Sequence, residues 1–355
     1  MKFLKQPLVG ALALSFTCSG LLLQTATEAR SQAGYTSVNV NNSTQVQAQA
    51  TGQYRFETVD QEWVDKRRNR TIPVKLYIPQ GVSGPCPVIL FSHGLGGSRE
   101  AAQYLGKAWA GHGYLCVFMQ HAGSDKGLWE GVKGYNNIVK AIQPGANGKA
   151  AVDRTKDVSF VIDYLEANSR KGIFMGCPVD LTKIGMSGHS FGAITSLWVA
   201  GQRIGAGFMP GARGLSFAEP RISAVVYLSP GEYNGRLSTD QAFGDIKIPG
   251  MVVTGTQDTD PIRKSSPEGR AQNFDYINAT NQYLLYYDGA AHQTFGGRSR
   301  RGKASELDLQ VEKSLSAITC QFWDAYLKNN NRSLAWLKGD GLNRYLGSAA
   351  VVKKK

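Results

Sequence analysis

Lys183-Ile184-Gly185-Met186-Ser187-Gly188-His189-Ser190-Phe191-Gly192-Ala193-Ile194 is the stretch from which the fold is read. An apolar run from Ile184 to Met186 gives way to Gly188-His189-Ser190-Phe191-Gly192, which opens a helix-like Ala193-Ile194-Thr195-Ser196-Leu197-Trp198-Val199-Ala200. Strand, tight turn and helix form the setting in which a G-x-S-x-G pattern presents a nucleophilic serine. Such a turn strains the serine backbone and exposes its hydroxyl. A Cβ at either flanking glycine would strike the neighbouring strand or helix.

Working outward, residues 54–59 and 72–78 read as strands joined by the charged turn Asp65-Lys66-Arg67-Arg68-Asn69-Arg70. Pro87-Val88-Ile89-Leu90-Phe91 is the continuous apolar run of a central strand buried on both faces. A helix is expected over 99–112, a second buried strand over 114–119, and helical spacing runs through Val158, Val161, Ile162 and Leu165. Three further strands are expected at 222–228, 251–254 and 283–287, then an amphipathic helix over 305–327. This alternation predicts an α/β fold: a mostly parallel central sheet with helices on both faces and, from the two leading strands, an antiparallel edge. The glycine-rich segments 123–148 and 201–220 read as irregular loops beside the sheet edge that carries the serine.

The chain has 355 residues, 42% of them hydrophobic and 19% charged, enough for one α/β domain with a large core. Lys2 and Lys5 precede an apolar run from Leu8 to Leu23, and Ser31-Gln32-Ala33 is a plausible cleavage site. That order describes a secretory signal over 1–33 and predicts a secreted or periplasmic protein. A polar leader (34–53), a catalytic domain (54–330) and a C-terminal extension (331–355) would follow. Loss of Lys2, Lys5, Arg30 and Glu28 takes the formal charge from +13 to +11, which favours contact with anionic surfaces. No basic helix or aromatic–basic strand pattern suggests a nucleic-acid partner. Cys86, Cys116, Cys177 and Cys320 would remain. Export permits disulfides and leaves three pairings open, while Cys116, inside a strand-like run, also suits a buried thiol. No Cys-x-x-Cys or His/Cys cluster suggests a metal, and no cofactor is expected.

A nucleophilic serine needs a base, an orienting acid and an oxyanion hole. Of the five histidines only His292 follows Ser190, in the loop Asp288-Gly289-Ala290-Ala291-His292 after an expected strand. The acid lies between them: Asp258 in Thr254-Gly255-Thr256-Gln257-Asp258-Thr259-Asp260-Pro261 is the first choice, with Asp260 and Glu232 as alternatives. Backbone amides of Phe191 and of Leu95, in Ser92-His93-Gly94-Leu95-Gly96-Gly97, are the expected oxyanion donors. His121, Trp129, Phe208 and Met209 are candidate pocket residues, as are Tyr135 and Phe217; the aromatic ones could equally anchor their loops to the body.

Phe91-Ser92-His93-Gly94-Leu95-Gly96-Gly97, Gly188-His189-Ser190-Phe191-Gly192, Asp258 and His292 together resemble the α/β-hydrolase superfamily over roughly residues 54–327. Within it the chain looks most like dienelactone-hydrolase-like esterases, platelet-activating-factor acetylhydrolases and bacterial polyester hydrolases. Dienelactone hydrolases proper use a cysteine where Ser190 stands. The acetylhydrolases take their acid after the earlier strand, where this chain has Ala224-Val225-Val226. The polyester hydrolases carry Asp-Thr and Asp-Gly-Ala-x-His stretches, as at Asp258-Thr259 and Asp288 to His292, but lack the 125–148 insertion. The resemblance implies a serine esterase that acts on small-molecule, lipid or polymer esters through an acyl-enzyme, without a cofactor.

Overall fold

Side chains alternate along the apolar runs, and that alternation builds the centre of the molecule. Val88, Leu90, Leu115 and Val117 enter one core, while Ile89, Phe91, Cys116 and Phe118 enter another on the opposite side of the same strands. A strand that is apolar on both faces requires a layer of helices on each.

The computed structural model describes residues 45–47, 52–205, 213–259, 262, 264–297 and 304–355. The expected signal segment, most of the leader, Phe208, Met209 and Asp260 lie outside these described residues. The order begins with strands β1 (Gln45–Gln47), β2 (Arg55–Asp65), β3 (Arg70–Gln80) and β4 (Cys86–Ser92), then α1 (Gln103–Gly111) and β5 (Leu115–Met119). Helices α2 (Tyr135–Ile142) and α3 (Gly148–Asn168) precede β6 (Ile173–Phe174), β7 (Cys177–His189), α4 (Phe191–Ala200), β8 (Ile222–Leu228) and α5 (Thr239–Phe243). Next come β9 (Gly250–Gln257), α6 (Pro267–Tyr276), β10 (Gln282–Ala291) and α7 (Glu306–Leu327). Helices α8 (Asn331–Lys338) and α9 (Gly341–Leu346) and strand β11 (Ala350–Lys354) complete the chain.

The sheet runs β1-β2-β3-β5-β4-β7-β8-β9-β10-β11, with β6 as a short hairpin partner of β7. Strands β5, β4, β7, β8, β9 and β10 are mutually parallel. Strands β1 to β3 make an antiparallel edge, as expected, and β11 adds an antiparallel strand at the other edge. Helices α3, α4, α5 and α6 contribute buried residues to one core, and α1, α7, α8 and α9 to the other. This is the α/β-hydrolase fold. After β4 the chain moves to one side to form β5, then crosses to place β7 on the other side of β4. The carboxyl ends of β4 and β7 therefore flank a switch point, where open α/β sheets have a crevice.

Two segments differ from expectation. Residues 135–142, expected as irregular loop, form α2, because Ile138, Val139 and Ile142 share a helical face that the surrounding glycines and asparagines obscure. Residues 331–355, expected as an extension, form α8, α9 and β11. The last of these pairs with β10 from Tyr283↔Lys354 to Tyr287↔Ala350.

Candidate active site

Ser190 joins β7 to α4 with φ 56° and ψ −113°, backbone angles that an L-residue adopts only under constraint. The constraint is steric. A Cβ on Gly192 would overlap the Ser92 carbonyl, and one on Gly188 would overlap the Gly192 backbone. Strand β7 can approach α4 and β4 this closely only with glycine at both positions.

The end of β10 supplies His292, whose Nε2 lies 2.9 Å from Ser190 Oγ and whose Nδ1 lies 2.7 Å from Asp258 Oδ1. Asp258 follows β9 and is fully buried. Its Oδ2 accepts hydrogen bonds from Ser229 Oγ at 2.5 Å and Thr254 Oγ1 at 2.7 Å, while Arg270 Nε lies 3.2 Å from Oδ1. Burial alone would raise the pKa of this carboxyl. The His292 hydrogen bond, the His292 and Arg270 charges and the Ser229 hydroxyl outweigh burial and hold it at about 2. Asp258 is thus a carboxylate at neutral pH.

The His292 loop is fixed from two sides. Thr294 Oγ1 accepts from Ala291 N at 3.3 Å and donates to Asp308 Oδ1 at 2.5 Å, and Asp308 forms the capping box of α7 with Ser305. On the other side His189 Nε2 lies 2.8 Å from the His292 carbonyl oxygen. Burial, reinforced by His292 beside it, lowers the His189 pKa to about 3. The neutral ring accordingly donates its Nε2–H to that carbonyl.

Leu95 and Phe191 both line the cavity at Ser190. In the β4 loop the Gly96 and Gly97 amides donate to Ser124 O and Gly94 O, at 2.9 and 3.0 Å. No acceptor among the described residues takes the Leu95 amide, which suits it to receive a developing oxyanion.

Behind this loop lies a buried polar cluster that the sequence expectations did not bring together. Arg154 of α3, fully buried, donates to His93 O at 2.6 Å and Ser124 Oγ at 2.9 Å, and its guanidinium lies 4.4 Å from the centre of the Phe191 ring. His121 does not line the cavity as expected. It is buried with Nε2 2.8 Å from Ser92 Oγ and Nδ1 2.9 Å from Asp157 Oδ2. Asp157 is held at about 2: burial opposes ionisation, but hydrogen bonds from His121 and Arg70 prevail. The available signal was the three-residue spacing of Arg154 and Asp157 on α3.

The cavity has a volume of about 500 Å³. Ile138, Val139 and Ile142 of α2 form one wall with Trp129, whose Nε1 donates to Gly96 O at 2.7 Å; Tyr135 stands exposed at its rim. Phe217 instead stacks on Trp198, its ring centre 6.1 Å away, and anchors its loop to the body. Glu232 instead accepts from Ser266 N at 3.1 Å, and His292 Nδ1 is taken by Asp258. Among the described lining residues none is Asp or Glu, and Arg270 is the single Arg or Lys.

A strained serine on a β–α turn, a histidine in hydrogen-bond reach and a buried carboxylate behind it, carried on this sheet, are the arrangement that α/β-hydrolase-type serine hydrolases use. A family model described as X-Pro dipeptidyl-peptidase (S15 family) matches residues 68–206. Those residues hold the β4 loop and Ser190 and end before Asp258 and His292. No curated protein matches the chain.

Proposed function

We propose that the protein hydrolyses carboxylic esters with an apolar acyl group. The observation that carries this reading is the cavity at Ser190, walled by Trp129, Ile138, Val139 and Ile142 and without a carboxylate among its described lining residues. In this mechanism Ser190 Oγ attacks the acyl carbon and His292 Nε2 takes the proton. Asp258, receiving Nδ1–H, fixes the tautomer and stabilises the imidazolium. The Leu95 and Phe191 amides hold the oxyanion, and His292 returns the proton to the leaving alcohol. A water activated by the same histidine then releases the acid from the acyl-enzyme.

The likeness of Ser92 to Gly97 and Gly188 to Gly192 to dienelactone-hydrolase-like esterases, acetylhydrolases and polyester hydrolases supports ester chemistry. The order of charged, apolar and small residues over 1–33 supports export, which N-terminal sequencing of the mature protein would test. The basic balance of the remaining chain supports peripheral contact with anionic surfaces.

Peptide hydrolysis is the second reading, favoured by the family match over 68–206. An X-Pro dipeptide unit brings an N-terminal ammonium that needs an anionic partner when desolvated. The described cavity lining offers none. The deciding experiment compares p-nitrophenyl esters from acetyl to palmitoyl with X-Pro p-nitroanilides, using the wild type and Ser190→Ala. Ester turnover lost in Ser190→Ala is expected. Turnover of the X-Pro anilides alone would replace the ester reading with the peptidase one.

A further inference from the structure

The sheet sorts the four described thiols into two pairs. Cys86, at the start of β4, and Cys177, at the start of β7, belong to the core on one face; Cys116 and Cys320 belong to the core on the other. A bridge across the sheet would have to pass through hydrogen-bonded backbone, so only bridges within a face are open. Cys86 and Cys177 are 91 residues apart in sequence, yet Cys177 Sγ donates to Cys86 Sγ at 3.4 Å. Parallel pairing of β4 and β7 beside these residues (Cys86↔Val179) holds the two side chains on the same face. Cys116 Sγ donates instead to the Tyr114 carbonyl, at 3.6 Å.

We propose that Cys86 and Cys177 are a disulfide site that closes in the presence of a small-molecule disulfide oxidant, while Cys116 and Cys320 remain thiols. One cysteine thiolate of the pair attacks a sulfur of oxidised glutathione and expels a glutathione thiolate. The second cysteine attacks the mixed disulfide at the protein sulfur and expels the other. Two electrons pass from the protein thiols to the oxidant, and the two protons end on the two glutathione thiols. Both protein sulfurs are nearly inaccessible, each residue being 2% exposed, so the exchange takes place as β4 and β7 come together rather than in the finished fold. The bridge closes a loop of 91 residues, long enough to restrict the unfolded chain substantially.

The test refolds the full chain from denaturant in a buffer of oxidised and reduced glutathione. Free thiols are then alkylated with iodoacetamide under denaturing conditions, the protein is reduced, and the newly freed thiols are labelled with N-ethylmaleimide before peptide mass spectrometry. Cys86 and Cys177 should carry the second label and Cys116 and Cys320 the first, with the 86–177 linked peptide present before reduction. Iodoacetamide on all four, or a bridge to Cys116 or Cys320, would overturn the proposal. Cys116→Ser/Cys320→Ser should keep the linked peptide. Reduction should lower the melting temperature of the wild type by on the order of 10 °C and leave Cys86→Ser/Cys177→Ser unchanged. The labelling pattern decides the matter even if that last variant fails to fold.

Discussion

At the scale of single residues, the two carboxylates that the sequence offers on described residues are separated by their hydrogen bonds. Asp258 receives His292 Nδ1, Ser229 Oγ and Thr254 Oγ1, whereas Glu232 binds the Ser266 amide. Asp258→Asn should therefore lower kcat by roughly 10³–10⁴-fold, since an amide NH₂ would turn the imidazole to the wrong tautomer. Glu232→Gln should stay within a few-fold of the wild type. Steady-state kinetics on one reactive ester checks both, and equal losses would remove Asp258 from its assigned role. That Ser190 and His292 meet was legible in the sequence, because one sits in a strand–turn–helix pattern and the other is the single histidine downstream of it. Arg154, Asp157 and His121 were not legible as a cluster. Charged residues on a helix read as a solvated face; here Asp157 is buried against His121, Arg68 and Arg70, and Arg154 against the His93 carbonyl and Ser124.

Among the elements, α2 is unusual because none of its residues is buried, although Ile138, Val139 and Ile142 share one face. That face looks into the cavity rather than into a core. Shortening it should therefore change substrate choice more than stability. Ile142→Ala is expected to reduce kcat/KM for a long-chain p-nitrophenyl ester about five-fold, the equivalent of about 1 kcal/mol of apolar contact, with little change for the acetyl ester. A uniform loss along the series would show that α2 supports the fold instead of the acyl group. The sheet strands were readable because buried parallel strands are continuous apolar runs. Both α2 and β11 escaped because each is short and signals itself through only three or four apolar residues, in glycine-rich or lysine-rich surroundings.

Across the whole molecule, the buried histidines His121 and His189 should make stability fall with acid. His121 is lowered to about 4 by burial and the Arg154 charge, and His189 to about 3 by burial and His292. In the unfolded chain each would take up a proton near pH 6.5. The unfolded state thus binds more protons below that pH. The contribution of these residues is complete above about pH 6.5 and is lost as pH falls toward 4, at about 1.4 kcal/mol per pH unit for each histidine. Below about pH 4, protonation of Asp157 and Asp258, both held at about 2, adds to the loss. Urea midpoints between pH 7 and 4 should show this slope, and His121→Gln should lower it by about 1.4 kcal/mol per pH unit, one histidine's share. An unchanged slope in that variant would mean that His121 is charged in the folded protein.

Trp129 gives the cavity an optical signal. Five of the six tryptophans, Trp63, Trp109, Trp198, Trp323 and Trp336, do not line the cavity, whereas the Trp129 indole forms part of its wall. Its Nε1–H is tied to the Gly96 carbonyl in the loop beside Ser190, so a group attached to Oγ would alter both the polarity around this ring and its hydrogen bond. Emission at the red edge of the protein's fluorescence should consequently shift as a serine-directed reagent reacts. Trp129→Phe should be silent while reacting with the same stoichiometry, which would make occupancy of the cavity measurable without a chromogenic substrate.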